Sequence, residues 1–244
     1  MGAPIPKRVI LTRSREDIQK DRVFFERNGF AVEELPLIEI EPIPFKPPEQ
    51  KPDIVIFQSA RAVKFFLKDH PIPKDARIVA VGEKTASAVK SFGYRVSLIP
   101  KENSAQGVLD CMPPSKGELV LVPRSEQGRV ELIEGLRHKG YRVVPLNVYR
   151  TKNPLYKEER LISVLKEGGF IVFASPSAVR GLFANLQNHD ILRKFNNLIV
   201  VAIGKTTKGE LEKFGVVPSI IPTKPMMEAV AGKIHEFWQE NCTY

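Results

Sequence analysis

The 244-residue sequence predicts an α/β protein built from two similar parallel-sheet domains joined by a two-stranded linker. Three observations support this prediction. The chain repeats itself once over about half its length, and the repeated blocks keep their order. Short β-branched runs alternate with helix-length segments within each repeat. In each repeat, one extended segment that ends in proline interrupts this alternation.

The clearest part of the repeat pairs residues 76–100 with residues 198–222. These segments align without a gap, and nine of their 25 positions are identical. Two shorter pairs occur in the same order, residues 57–63 with 173–179 and residues 9–32 with 120–143. A single repeat of this length indicates two domains of similar fold, because a solenoid would need shorter and more numerous units.

Each repeat alternates patterns typical of strands and helices. Ala62, Val63, Phe66 and Leu67, for example, recur at the three-to-four spacing of a buried helix face. Alternating βα units predict parallel sheets covered on both faces, so we expect two flavodoxin-like or Rossmann-like domains. The predicted strands are residues 9–11, 54–57, 78–81 and 96–99, then 119–122, 171–173, 199–203 and 217–221.

The domain boundaries follow from residues 35–48 and 145–154, the two extended segments that end in proline. Two linkers mean that the chain crosses to the second domain and later returns. One domain is then continuous, and the other is built from both ends of the chain. We expect a discontinuous domain of residues 1–38 plus 152–244, a continuous domain of residues 44–147, and linkers at 39–43 and 148–151.

Composition restricts the class of protein and of partner. The chain carries 37 Lys+Arg and 28 Asp+Glu, a net charge of +9, which favours nucleic acid, a membrane surface or a polyanionic small molecule. Its 43% hydrophobic residues are ordinary for a globular protein and exclude a disordered chain. No apolar stretch approaches the ~20 residues that cross a bilayer, and the two cysteines have no metal-site spacing. We therefore expect a cytoplasmic protein.

The usual catalytic and binding signatures are missing from the sequence. It contains no Walker A loop, no GxGxxG, no HExxH and no GxSxG, which argues against metal, hydrolase and kinase chemistry. The basic residues are dispersed, without a recognisable nucleic-acid-binding motif. Any reaction would therefore depend mainly on holding a reactive substrate in shape.

Small hydroxyl residues recur where predicted strands lead into helices. Ligands of open parallel sheets bind at these junctions, where backbone N–H groups and the helix dipole favour anions. Each such residue could also be a simple helix N-cap. The repeated positions are Ser59 and Ser175 after the second strand, Thr85 and Thr207 after a glycine, and Ser14 and Ser125 after Arg13 and Arg124.

Taken in order, the motifs resemble the uroporphyrinogen-III synthase family over essentially the whole chain. They are VILTRS, IVIFQSARAV, IVAVGEKTASAV, VPLNVYRT, IVFASPSAV, VVAIGKTTKGEL and, after IIPTKP, MMEAVAGKIHEF. SPSAV, IGKTT and VYRT at this spacing are the more specific ones. The family often has a Thr-Ser-x-Asn-like run where this chain has Gln58-Ser59-Ala60-Arg61, a departure that affects the assignment of Ser59 as a contact.

The resemblance implies an enzyme of tetrapyrrole and heme biosynthesis, a monomeric lyase that needs no cofactor and no metal. Its substrate would be hydroxymethylbilane, a linear tetrapyrrole with eight carboxylates, bound in a cleft between two domains. Loss of water would give an azafulvene cation and then a spiro intermediate, so that the last ring is inverted in uroporphyrinogen III. Unassisted closure gives the symmetric isomer, so the enzyme must control conformation. The resemblance implies no nucleic-acid or membrane partner and leaves a transient contact with the preceding pathway enzyme open.

The resemblance also implies roles for particular residues. Tyr149, in VYRT, would act as a general acid for the departing hydroxyl or steer that group, although a tyrosine packed at the hinge fits the pattern equally well. The implied substrate-binding residues are Thr206, Thr207, Ser175 and Ser177, followed by Thr85, Ser59, Arg13, Lys84 and Lys205.

Two other classes of function stay open at this point. Two α/β lobes around a hinge would equally suit a non-enzymatic small-molecule binding or sensor protein. The positive charge would also suit a binder of polyanions or RNA.

Overall fold

The computed structural model describes residues 5–186, 192 and 194–242. Its elements follow in the order β1 (Arg8–Leu11), α1 (Arg15–Glu26), β2 (Ala31–Glu34), β3 (Glu39–Pro42), β4 (Ile54–Phe57), α2 (Ala60–Leu67), β5 (Arg77–Ala80), α3 (Glu83–Ser91), α4 (Ala105–Cys111), β6 (Leu119–Ser125), α5 (Glu131–His138), β7 (Arg142–Lys152), α6 (Glu158–Lys166), β8 (Gly169–Phe173), α7 (Pro176–Phe183), β9 (Leu198–Ala202), α8 (Lys205–Lys213) and α9 (Met227–Cys242).

The chain divides into two compact units. Unit 1 comprises Met1–Glu39 and Lys152–Tyr244, and unit 2 comprises Ile40–Thr151. Most of the two segments expected as linkers, residues 39–43 and 148–151, lies in β3 and β7, which are neighbours in the sheet of unit 2. The chain therefore passes from unit 1 to unit 2 in β3 and returns in β7.

Unit 1 is built on a four-stranded sheet in the order β2-β1-β8-β9, in which every pair is parallel. Successive side chains of β1 point to opposite faces of this sheet. Ile10 packs with Ile171 under α6, α7 and α8, whereas Val9 and Leu11 pack with Phe170 under α1 and α9. Burial on both faces explains why these strands are continuous apolar runs in the sequence.

Unit 2 is built on a five-stranded sheet in the order β3-β7-β6-β4-β5. The pairs β4-β5, β4-β6 and β6-β7 are parallel. Ile54 and Ile56 face the core under α4 and α5, and Val55 and Phe57 face the core under α2 and α3. The predicted α/β class with parallel sheets in two units is therefore confirmed.

Equivalent blocks of the repeat occupy equivalent places in the two sheets. The strands β1, β2, β8 and β9 of unit 1 correspond to β6, β7, β4 and β5 of unit 2. Numbered along one repeat, both sheets have the order 2-1-3-4, which begins the flavodoxin-like order. Each sheet takes two of these strands from the first repeat and two from the second.

The predicted strands at 96–99 and 217–221 were wrong, whereas the other six predicted runs are strands. Each of these two segments makes one parallel bridge, Val79 to Leu98 and Val201 to Ile220, beside the edge strands β5 and β9. Proline explains why they extend no further, because Pro100 and Pro218 cannot donate a backbone hydrogen bond to a ladder. Both segments occupy the fifth position of the flavodoxin-like order.

Glu210 connects two helices of unit 1 through a buried carboxylate. It accepts hydrogen bonds from Lys213 Nζ and from Arg180 Nη1, both at 2.8 Å. These bonds, that from Lys213 first, hold the pKa of Glu210 below its usual value of 4.5. Because the pKa is lowered in the folded state, this carboxylate stabilises the fold above pH 4.5 and loses its effect as the pH falls through the folded-state pKa.

We expect Glu210→Gln to lower the free energy of unfolding at pH 7 by about 1 kcal/mol. The difference from wild type should shrink in urea titrations repeated at successively lower pH below 4.5. Glu240→Gln, an exposed position on α9, is the control and should change stability little at either pH. A Glu210→Gln effect that stays constant with pH would contradict this account of the carboxylate.

Candidate functional site

A cavity of about 640 Å³ lies in unit 2 at the carboxyl ends of β4, β5 and β6. Segments that follow these strands form its wall, and β7 and α4 complete it. It lies where β6 and β4 adjoin, at the point where the strand order reverses, which is the usual ligand position in open parallel sheets. The lining includes Gln58, Ser59, Val81, Asn103, Ser104, Leu109, Arg124, Ser125, Gly128, Arg129, Glu131 and Tyr149.

Tyr149 belongs to β7 and is 8% exposed. Its ring stacks on Phe65, with the ring centroids 5.5 Å apart and the planes inclined by 25°. Its carbonyl accepts a hydrogen bond from Glu126 N at 2.9 Å. The ring and backbone are therefore fixed, and the phenol hydroxyl lies at the cavity, 3.4 Å from Ser59 Oγ.

Ser59 is the N-cap of α2 as well as a cavity residue. Its Oγ accepts a hydrogen bond from Ala62 N at 3.1 Å, the usual capping contact. Either hydroxyl of the Ser59–Tyr149 contact can be the donor, because Ser59 Oγ keeps both its proton and a second lone pair. When Ser59 donates, the proton of Tyr149 is free to point at a ligand in the cavity.

Arg124 is a buried cation in the wall of the same cavity, with 6% exposure. Its Nε donates to Ser125 O at 3.1 Å, and its Nη2 donates to Gly128 O. Burial lowers the pKa of its guanidinium below the ordinary range, and the charge of Glu131 opposes that change. The repeat pairs Arg124 with Arg13, and sequence reasoning selected only Arg13 as a site residue.

The structure places Arg13 outside the two cavities described here. Its Nη1 lies 2.6 Å from Asp21 Oδ2, and its Nη2 lies 3.4 Å from Asp17 Oδ2. Burial raises the pKa of Asp21, although its pairing with Arg13 opposes the rise. Both terminal nitrogens of Arg13 are therefore held by carboxylates of α1.

A second cavity, of about 690 Å³, lies in unit 1 at the carboxyl ends of β8 and β9. Ser175 lines it and caps α7 by accepting a hydrogen bond from Ala178 N at 3.3 Å. Lys205 and Thr206 are exposed at the start of α8, and Thr207 is only 2% exposed. The structure thus brings these four predicted residues together in one wall.

Three other predicted residues do not line either cavity. Ser177 Oγ accepts a hydrogen bond from Arg180 Nη2 at 3.4 Å. Thr85 is buried in α3 beside Ala86, and Lys84 is exposed on the same helix. Thr85 and Thr207 are repeat equivalents, so sequence alone did not separate them.

The structure also bears on metals and membranes. Within the described ranges, no three His, Cys, Asp or Glu side chains come together as a metal ion requires. Among those same residues, no helix combines the length and the apolar character needed to span a bilayer. Cys111 and Cys242 are free thiols.

Comparison with known proteins gives consistent results. A family model described as uroporphyrinogen-III synthase HemD matches residues 20–232. A Methanothermobacter thermautotrophicus protein is 30% identical over 200 residues, which are 75% of this chain and 79% of that protein. A uroporphyrinogen-III synthase of Chlorobaculum parvum is 28% identical over 234 residues, 88% of this chain and 93% of that protein. The chain also resembles the crystal structure of a uroporphyrinogen-III synthetase from Helicobacter pylori, with a TM-score of 0.66 and 19% sequence identity. The match covers 96% of this chain and 98% of that chain, which shows a shared fold.

Proposed function

Because the chain belongs to the uroporphyrinogen-III synthase family, we propose that it closes the linear tetrapyrrole hydroxymethylbilane into uroporphyrinogen III. The reaction removes one water and inverts the terminal pyrrole ring. The observation that carries the proposal is the family match, which runs through both units from residue 20 to residue 232. No observation specifically favours a non-enzymatic binding or sensor protein.

The chemistry begins with the terminal hydroxymethyl group. Its C–O bond breaks, the electron pair leaves with oxygen, and a proton from a general acid completes the departing water. The azafulvene cation that remains is attacked by the terminal ring to give the spiro intermediate. Ring inversion and closure then release one proton, which balances the proton that the acid supplied. The protein must supply an acid and hold the tetrapyrrole in the inverting geometry.

Tyr149 is our candidate for the acid. Tyr149 lines the cavity and has a hydroxyl that can donate a proton. Its ring and its backbone are both held in place. Ser59 Oγ, 3.4 Å away, keeps its own hydroxyl proton while it accepts from Ala62 N, so it can donate to Tyr149 and leave the phenol proton for a ligand. This orientation supports donation to a hydroxyl group in the cavity.

The cavity of unit 1 is our candidate for binding substrate carboxylates. Helix α8 begins after Gly204, which provides no side-chain cap, so its first N–H groups lack that partner. Its N-terminal dipole, the Lys205 ammonium and the Thr206 hydroxyl all favour an anion. Ser175 and Thr207 extend the same wall. The roles of Ser177, Thr85, Lys84 and Arg13 stay predictions without support from cavity geometry.

The proposal also covers the organisation and location of the enzyme. It includes domain limits of 1–38 plus 152–244 and 44–147, with 39–43 and 148–151 as linkers, and a cytoplasmic location. A transient contact with the preceding pathway enzyme stays a prediction. The proposal needs neither nucleic acid nor a membrane.

The decisive experiment uses freshly generated hydroxymethylbilane. The products are oxidised to porphyrins after a short incubation, and the type I and type III isomers are separated. We expect type III to predominate with the native protein and type I with heat-denatured protein. An isomer ratio equal to that of the denatured control would refute the proposed function.

A further inference from the structure

The equivalent arginines of the two repeats have different partners. Residues 9–32 align with residues 120–143 at a constant offset of 111, which makes Arg13 equivalent to Arg124. The same offset makes Asp17 equivalent to Gly128 and Asp21 equivalent to Leu132 (17 + 111 = 128; 21 + 111 = 132). The second repeat thus keeps the arginine and lacks both carboxylates that neutralise it in the first.

The missing carboxylates leave Arg124 buried with only neutral acceptors. Carbonyl oxygens of Ser125 and Gly128 hold Nε and Nη2, and the described residues offer Nη1 no hydrogen bond. Within those residues the structure also shows no ion pair for Arg124. Glu131 acts on Arg124 only as a nearby charge, without a hydrogen bond or an ion pair. A cation with 6% exposure and only neutral hydrogen-bond acceptors is unfavourable in a folded protein, because burial removes the water that stabilises its charge.

The surroundings of Arg124 favour an anion from outside the chain. Arg124 lines the unit 2 cavity, and Arg129, exposed, lines it as well. Glu131 is the one acidic side chain among the described lining residues. A carboxylate entering this cavity would complete the pairing that Asp21 provides for Arg13, and it would gain a charge-assisted hydrogen bond away from bulk water.

We propose that Arg124 is a substrate-binding residue whose Nη1 pairs with one carboxylate of the tetrapyrrole in the unit 2 cavity. This inference rests on the proposed function and adds to it a specific anchor near Tyr149, which lines the same cavity. One acidic side chain of one pyrrole ring is thereby held in the same cavity as the candidate acid. The two carbonyl bonds of Arg124 orient its guanidinium for this role.

The test pairs a protein variant with a substrate variant. The substrates are hydroxymethylbilane and analogues in which one acetate or propionate at a time is replaced by a neutral alkyl group. The proteins are wild type, Arg124→Gln and Arg95→Gln, an exposed arginine of unit 2 that is absent from the cavity wall. The quantity measured is kcat/KM for the type III isomer, alongside the unfolding transition of each protein.

With wild type, we expect one analogue to lose about 30-fold in kcat/KM relative to the full substrate. With the full substrate, Arg124→Gln should have a kcat/KM about 30-fold below that of wild type. Replacing the full substrate by that analogue should then lower kcat/KM of Arg124→Gln by less than about 3-fold more. Arg95→Gln should behave as wild type. If Arg124 only fixed the conformation of its turn, Arg124→Gln would lower kcat/KM by the same factor for every substrate. The ratio of kcat/KM between the full substrate and each analogue would then be the same in Arg124→Gln and wild type, and that result would overturn the inference.

Two other experiments apply if the glutamine variant does not fold. If Arg124→Gln does not fold, the same cycle is run with Arg124→Lys, which retains the charge but not the guanidinium. The pairing predicts a smaller loss for the carboxylate-deleted analogue than for the full substrate, and an equal loss for every substrate would count against it. If neither variant folds, phenylglyoxal labelling of wild type is followed by peptide mass spectrometry. Protection of Arg124 but not Arg95 by reduced product supports the pairing, and equal labelling overturns it. Absence of type III product from wild type would instead refute the proposed function.

Discussion

Tyr149→Phe is expected to lower kcat for uroporphyrinogen III by about 100-fold, the lower range for loss of a general acid. Phenylalanine keeps the ring that stacks on Phe65 and removes only the hydroxyl at the cavity. Stability should change by less than about 1 kcal/mol, because that hydroxyl makes one 3.4 Å contact, with Ser59. The type I fraction should rise, since unassisted closure competes with the slowed enzyme.

The matched control is Tyr156→Phe. Tyr156 is a partly buried tyrosine of unit 1 whose hydroxyl donates to Pro36 O at 2.8 Å, and it lines neither cavity. Stopped-time assays with isomer separation should show wild-type product from this variant. A Tyr149→Phe enzyme with normal kcat and an altered isomer ratio would indicate steering, whereas normal values of both would remove Tyr149 from the mechanism.

Gly169→Ala is expected to lower the free energy of unfolding of unit 1 by about 3–4 kcal/mol. Gly169 begins β8 with φ +97°, a conformation that residues with a Cβ rarely adopt. A Cβ there would lie 2.4 Å from Arg8 O in the neighbouring strand. Neither atom can move far, because β8 is hydrogen-bonded between β1 and β9.

The control for this prediction is Gly209→Ala, in α8 of the same unit. A Cβ at Gly209 meets no heavy atom within 4 Å, and alanine favours a helix more than glycine does, so stability should rise by about 0.5–1 kcal/mol. Urea unfolding followed by Trp238 fluorescence reports on this unit, because Trp238 is the single tryptophan and lies in α9. Identical urea midpoints for Gly169→Ala and wild type would contradict the close approach at β8.

Sequence identified the strands well where burial determines the residue types. β4 and β8 are buried throughout, so only apolar runs can form them, and those runs are visible in the sequence. The segments at 96–99 and 217–221 carry similar apolar residues, but each has one strand beside it and makes a single bridge. Pro100 and Pro218, which cannot donate to a ladder, limit this pairing, so the apolar character of the segments overstated their length as strands.

The candidate site was predictable in part. Ser59 and Tyr149 are 90 positions apart, yet both were expected at a site and both line the unit 2 cavity. Arg13 and Arg124 look equivalent in their strand-end motifs, so the motif alone could not rank them. The difference depends on what the following helix presents once it packs, Asp21 in one repeat and Leu132 in the other.

The shared strand order of the two sheets has an evolutionary consequence. One repeat contains one strand of each kind, which is enough to complete the order 2-1-3-4 without its sister. A half-length ancestor could therefore have folded by itself, and gene duplication would have joined two copies that exchanged their second halves. The pairs Asp17/Gly128 and Asp21/Leu132 are then positions at which the duplicated copies differ, and they decide whether the shared arginine is neutralised within the chain.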